Sequence, residues 1–188
     1  MKKIALFASG SGTNVENIVN YFKDNVNIEV TLVLCNKPDA FVIQRAKNLR
    51  IHCEIFNRED FYHSANVLNR LRESGIDFIV LAGFLWLVPK NLTTEYPNRI
   101  INIHPALLPK YGGKGMYGKR VHEAVVENGE TETGITIHYI NEKYDEGNII
   151  FQAKCEVNST DKAEDVAEKV HALEYEHYPK VIEQLLEG

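Results

Sequence analysis

Cysteine is scarce in this 188-residue chain: Cys35, Cys53 and Cys155 are odd in number, far apart and form no Cys-x-x-Cys pair. Such spacing argues against a disulfide framework or a zinc knuckle and leaves all three as small hydrophobes without a chemical role. Positive charge is also short, with 21 Lys and Arg against 26 Asp and Glu for a net charge of −5, which excludes a broad phosphate-binding surface and hence nucleic acid as the main partner. No apolar run is long enough for a signal peptide or a membrane span, because the opening MKKIALFAS passes straight from a strand pattern into SGSG. The expected compartment is the cytosol, with no membrane contact. There is neither a Gly-x-Ser-x-Gly elbow nor a clustered set of metal ligands, so neither a serine nucleophile nor a metal is expected. What the chain does have is 44% hydrophobic residues, enough to bury one core, and one domain over 1–188 is the expected organisation.

Apolar runs rich in β-branched residues recur at 4–9, 28–35, 78–84 and 99–103. The intervals at 14–23, 40–49, 59–74 and 92–96 have helical spacing, which together give a βαβ rhythm. Right-handed crossovers between parallel strands follow from it. Past a helical stretch at 122–127, the runs GITIHYI (134–140) and NIIFQAKCEV (148–157) flank the turn-rich NEKYDEG, as an antiparallel pair at a sheet edge would. The stretch 162–186 reads as a long helix with Asp161 as its N-cap and a possible bend at Pro179. The fold class is therefore α/β: a Rossmann-like, doubly wound, mostly parallel sheet with an antiparallel edge.

Chemistry concentrates at the ends of the parallel strands, where open α/β sheets bind ligands. SGSGTN (9–14) joins the first strand to the first helix, where glycines let an anion reach free N–H groups, although a tight structural turn has the same composition. It is no dinucleotide fingerprint, since Val15 stands in place of the third glycine, and no Gly-Lys-Ser/Thr makes it a Walker loop. In INIHP (101–105) strand alternation turns Asn102 and His104 to one face and the two isoleucines to the other. They are either a catalytic amide and imidazole or a hydrogen-bonded structural pair. GFLWLVP (83–89) is either an apolar wall or a core segment. Asp145 in YDEG belongs to a solvated turn unless that turn folds back over His104, where a carboxylate would favour the imidazolium form. Phosphate-binding amides, one histidine, one amide and one carboxylate suit direct transfer to a bound amine, with Asn102 and His104 stabilising an oxyanion.

These motifs together resemble the glycinamide ribonucleotide formyltransferases, a branch of the folate-dependent formyltransferases. The similarity runs through SGSGTN, CNKPDAFVIQRA, VLAGF, INIHPALLPKY, HEAVVENG, TGITIHYI and YDEG. Other branches of that group carry additional domains for which 188 residues leave no room. The resemblance implies formyl transfer from 10-formyltetrahydrofolate, as cosubstrate, to the amine of 5-phosphoribosylglycinamide in purine synthesis. An amino sugar nucleotide as the formyl acceptor, or a non-catalytic folate- or nucleotide-binding module, are the competing readings. By the same resemblance Asn102, His104 and Asp145 are catalytic, with Asp145 raising the histidine's pKa. Gly12, Thr13 and Asn14, with His171, Ala172, Leu173 and Glu174, hold the ribonucleotide. Arg58, the wall Leu85, Trp86, Leu87 and Val88, Asn102, and the loop Asn141, Glu142, Lys143, Tyr144 and Asp145 hold the folate. The N-terminal half thus carries phosphate binding and the C-terminal half the folate and catalytic loops. The working state implied is a monomer or weak homodimer acting on small molecules. Two departures from the family pattern stand out: Trp86 replaces a common arginine, which favours stacking over hydrogen bonding, and KYGGKGMYGKR (110–120) is rich in glycine and lysine. That segment is read as a mobile active-site loop or a plain surface loop, and His138 as a support of the site or a satisfied strand histidine.

Overall fold

A computed structural model describes all residues, Met1–Gly188. Seven strands, β1 (Lys2–Ala8), β2 (Ile28–Cys35), β3 (His52–Ile55), β4 (Phe78–Leu81), β5 (Ile100–His104), β6 (Glu132–Tyr139) and β7 (Ile149–Glu156), form one sheet in the order β3-β2-β1-β4-β5-β6-β7. The strands from β3 to β5 pair in parallel, while β6 and β7 close one edge antiparallel. β1 is apolar throughout its buried part because helices cover both faces of the sheet. Ile4, Leu6 and Ala8 join the core beneath helices α1 (Thr13–Phe22), α2 (Val42–Asn48), α5 (Lys119–Glu127) and α6 (Ala163–Glu187). Ala5 and Phe7 join a separate, phenylalanine-rich core on the other face, beneath α3 (Asn66–Glu73) and α4 (Lys90–Glu95).

Three local features differ from the sequence reading. The strand β3 was not expected: four half-exposed residues, two of them polar, carry no periodicity. The expected helix over 59–74 is divided into a π-helical turn, Glu59–His63, and α3, because Ser64 is extended between them. Asp161 is not the cap of α6; it pairs with Lys169, and the N-cap is Lys162, whose backbone N–H is bound by Asp165 Oδ2 at 2.8 Å. Pro179 lies inside α6, whose helix continues past it to Glu187. A proline has no N–H for the carbonyl four residues earlier, and here Asn17 Nδ2 on α1 donates to that carbonyl, Tyr175 O, at 3.0 Å.

Candidate active site

The ends of β1, β4 and β5 open into one cavity of about 850 Å³. The side of the cavity formed by residues 9–14 is fixed by backbone geometry. Gly12 caps α1 at φ 76°, and a Cβ there would lie 2.4 Å from Val42 Cγ2 and 2.9 Å from Val42 Cα. Only glycine fits, and behind it the first-turn N–H groups of α1 lack partners within the helix. Ser9 joins this loop to the neighbouring strand end: its N–H donates to the Gly83 carbonyl and its Oγ accepts from the Leu85 N–H, both at 3.0 Å.

Asn102 and His104 do share a face, because Ile101 and Ile103 are turned to the opposite core. The turn at 141–147 folds back so that Asp145, in the left-handed region at φ 54°, stands with Oδ2 3.6 Å from His104 Nδ1 and Oδ1 3.6 Å from His138 Nε2. Asp145 Oδ2 also accepts the Gly113 N–H at 2.9 Å. His104 Nε2 donates to the Tyr111 carbonyl at 2.7 Å, and the other nitrogen faces the carboxylate. His138 Nδ1 donates to the Tyr139 carbonyl at 2.9 Å, leaving Nε2 to accept from the Asn102 amide at 3.2 Å. His138 therefore holds Asn102 in place.

The expected rise in the His104 pKa is not what the surroundings produce. Burial of a ring only 4% exposed pushes it below the usual histidine value, and this outweighs the upward pull of Asp145 and of the Tyr111 carbonyl. Asp145 acts in the expected direction but is shared between two histidines and one amide. Its own carboxyl is raised by burial, yet the histidines and the Gly113 N–H together carry it below the usual carboxylate range.

The opposite end of the cavity is closed by α6. Glu174 is buried, and its Oε2 accepts from Asn14 Nδ2 and His171 Nδ1, both at 2.9 Å, joining the two ends of the chain. Donation to Glu174 raises the His171 pKa against the effect of burial.

Leu85, Trp86, Leu87 and Val88 line the remaining wall, with Trp86 packed against Phe56, Phe61, Tyr62 and Phe84. Of the residues singled out in the sequence, Gly12, Thr13, Asn14, Asn102, His104, Lys143, Tyr144, Asp145, His171 and Glu174 also line the cavity. Arg58 does not line it, its guanidinium standing 4.7 Å over the Trp86 ring. Asn141 and Glu142 are outside: Asn141 Oδ1 accepts the Lys143 N–H, and Glu142 pairs with Lys90 at 3.6 Å. Ala172 is exposed and Leu173 packs on the core, so neither reaches the cavity. The segment 113–119 forms part of the wall, which favours the active-site reading of that loop. Ser9, Lys37 and His122 line the cavity without having been singled out. All three lie inside quoted motifs, SGSGTN, CNKPDAFVIQRA and HEAVVENG, but nothing in those strings marks them individually as cavity residues.

The formyl transferase family model matches residues 2–182. The chain is 38% identical to phosphoribosylglycinamide formyltransferase of Bacillus subtilis over 99% of its own length and 95% of the relative's. It is 40% identical to the chloroplastic enzyme of that name from Arabidopsis thaliana, of whose length it spans 66%. The crystal structure of phosphoribosylglycinamide formyltransferase from Bacillus halodurans superposes with a TM-score of 0.88 at 37% identity, covering 98% of this chain and 95% of that one.

Proposed function

The chain belongs to the formyl transferase family, and on that premise we propose that it moves a formyl group from 10-formyltetrahydrofolate to the amine of 5-phosphoribosylglycinamide, a step of de novo purine biosynthesis. One observation carries this reading: a single cavity joins a phosphate-type loop, an apolar aromatic wall and the Asn102, His104 and Asp145 group between them. Gly12, Thr13 and Asn14 take the phosphate on the first-turn N–H groups of α1. Glu174 and His171 take the sugar and glycinamide. Leu85 to Val88, with Trp86, cover the folate ring, while Tyr144 and Lys143 close over it.

In this mechanism the substrate amine attacks the formyl carbon, forming a C–N bond and an oxyanion. The Asn102 amide and His104 Nε2 donate to that oxygen. For Nε2 to do so the Tyr111 carbonyl releases it, so a shift of the 110–118 segment accompanies binding. A proton passes from the attacking nitrogen, through water held near His104 and Asp145, to N10 of the folate. The C–N10 bond then breaks, giving formylglycinamide ribonucleotide and tetrahydrofolate. Asp145 stabilises positive charge that develops on His104 during the transfer. The same reading takes the whole chain as one working domain, a monomer or weak homodimer in the cytoplasm, with small molecules as its partners.

The test is the absorbance change of a 10-formylfolate mixed with the protein, with and without glycinamide ribonucleotide, beside an Asp145→Asn variant. Ribonucleotide-dependent deformylation that collapses in the variant is the expected result. Deformylation without ribonucleotide points to a hydrolase, and no reaction excludes this amine as the acceptor.

A further inference from the structure

We propose that His122 is a further substrate-binding residue, whose imidazole binds a ribose hydroxyl beside Asn14 and Glu174; the proposal rests on the ribonucleotide reading above. On α5 the buried residues are Val121, His122 and Val125, so His122 occupies the apolar stripe of an amphipathic helix. It is 3% exposed, lines the cavity, and its Nδ1 has no hydrogen-bond partner. A buried polar atom without a partner is uncommon and costs stability, which makes it a mark of a group kept for something else. Asn14 Oδ1 is in the same condition: its amide nitrogen is used on Glu174, while its oxygen is buried and unpaired on the wall of the same cavity. His171, 6.3 Å from His122 between ring centroids, already has its partner in Glu174. The unmet needs of the wall are therefore an acceptor on Asn14 and an imidazole on His122.

Burial, with His171 and His104 nearby, lowers the His122 pKa despite Glu174, so the ring is neutral at neutral pH. A neutral imidazole offers one donor and one acceptor. A sugar hydroxyl matches it, since the hydroxyl can accept from the ring while giving its own hydrogen to Asn14 Oδ1 or Glu174. Apolar ligands leave all these atoms unpaired.

Two variants, His122→Phe and His122→Gln, test this in the full chain. The expected result is a KM for the ribonucleotide raised about tenfold or more in His122→Phe, with partial recovery in His122→Gln. kcat should stay within about threefold and the KM for formyl folate should not change. In ¹⁵N-histidine NMR of the unsubstituted protein, ribose 5-phosphate should shift the His122 ring signals. An unchanged ribonucleotide KM in a folded His122→Phe protein overturns the proposal, as does ribose 5-phosphate binding that leaves those signals in place. If the protein fails to formylate the ribonucleotide yet ribose 5-phosphate moves His122, the function reading fails while the sugar contact stands. If ribose 5-phosphate does not bind at all, the contact falls too.

Discussion

At the residue scale the site turns on a contest at His104 between burial and a carboxylate. Alternation in INIHP is enough to place Asn102 and His104 on one face, which is why this pair was legible in the sequence. The protonation of His104 was not, because it depends on how deeply the ring is enclosed and on how many groups share Asp145. A histidine pKa lowered in the folded state means the unfolded chain binds the proton more readily. The stability it contributes is thus fully present above the ordinary value near 6.5 and is lost as pH falls through the lower folded value. Histidine NMR of the free protein should accordingly give His104 a midpoint below 6.5. In Asp145→Asn, which removes the main upward pull, that midpoint should move lower still; a move upward would contradict the balance described. His104→Ala should lose turnover by at least about a hundredfold, with ribonucleotide affinity by calorimetry nearly unchanged. Normal turnover in that variant would remove His104 from the mechanism.

At the scale of elements, β-branched runs and turn chemistry made most strands and helices readable, whereas β3 depends on its pairing with β2, which no local pattern carries, and the 59–74 stretch is divided at the extended Ser64. The passage of α6 through Pro179 is likewise a tertiary effect. Its cost is reduced because Asn17, 158 positions before Tyr175, serves the Tyr175 carbonyl that the proline leaves free. Asn17→Ala should lower stability by about 1 kcal/mol in denaturant unfolding. In a Pro179→Ala background, where residue 179 again has an N–H, the same change should cost much less. Equal costs in both backgrounds would mean that the Asn17 bond does not answer the proline. Gly12→Ala forces a side chain into the left-handed region and against the backbone of Val42. A loss of at least about 2 kcal/mol is expected from strain and overpacking together, accompanied by loss of ribonucleotide binding.

At the scale of the whole molecule, the cavity belongs to no single half of the chain. The apolar wall Leu85 to Val88 comes from the N-terminal half, the Asp145 carboxylate from the antiparallel edge, and the Asn14 to Glu174 bond spans 160 positions. Motifs near each other in sequence disclosed the strand ends; Glu174, buried in the middle of α6, entered the sequence reading only through family resemblance, since a glutamate in a helix has no distinguishing pattern. A ligand held between α1 and α6 therefore binds only the folded chain and must stabilise it as a unit. At a ribonucleotide concentration of 100 times Kd the gain is about 2.7 kcal/mol. In a domain of this size each kcal/mol moves Tm by about 2–4 °C, so a rise of about 5–11 °C is expected in calorimetry. Glu174→Gln keeps the shape and an acceptor for Asn14 but removes the charge, and should give a much smaller rise at the same ribonucleotide concentration. A rise of equal size in the variant would mean that the ligand is held by the α1 loop alone and that α6 closes the cavity without binding what lies in it.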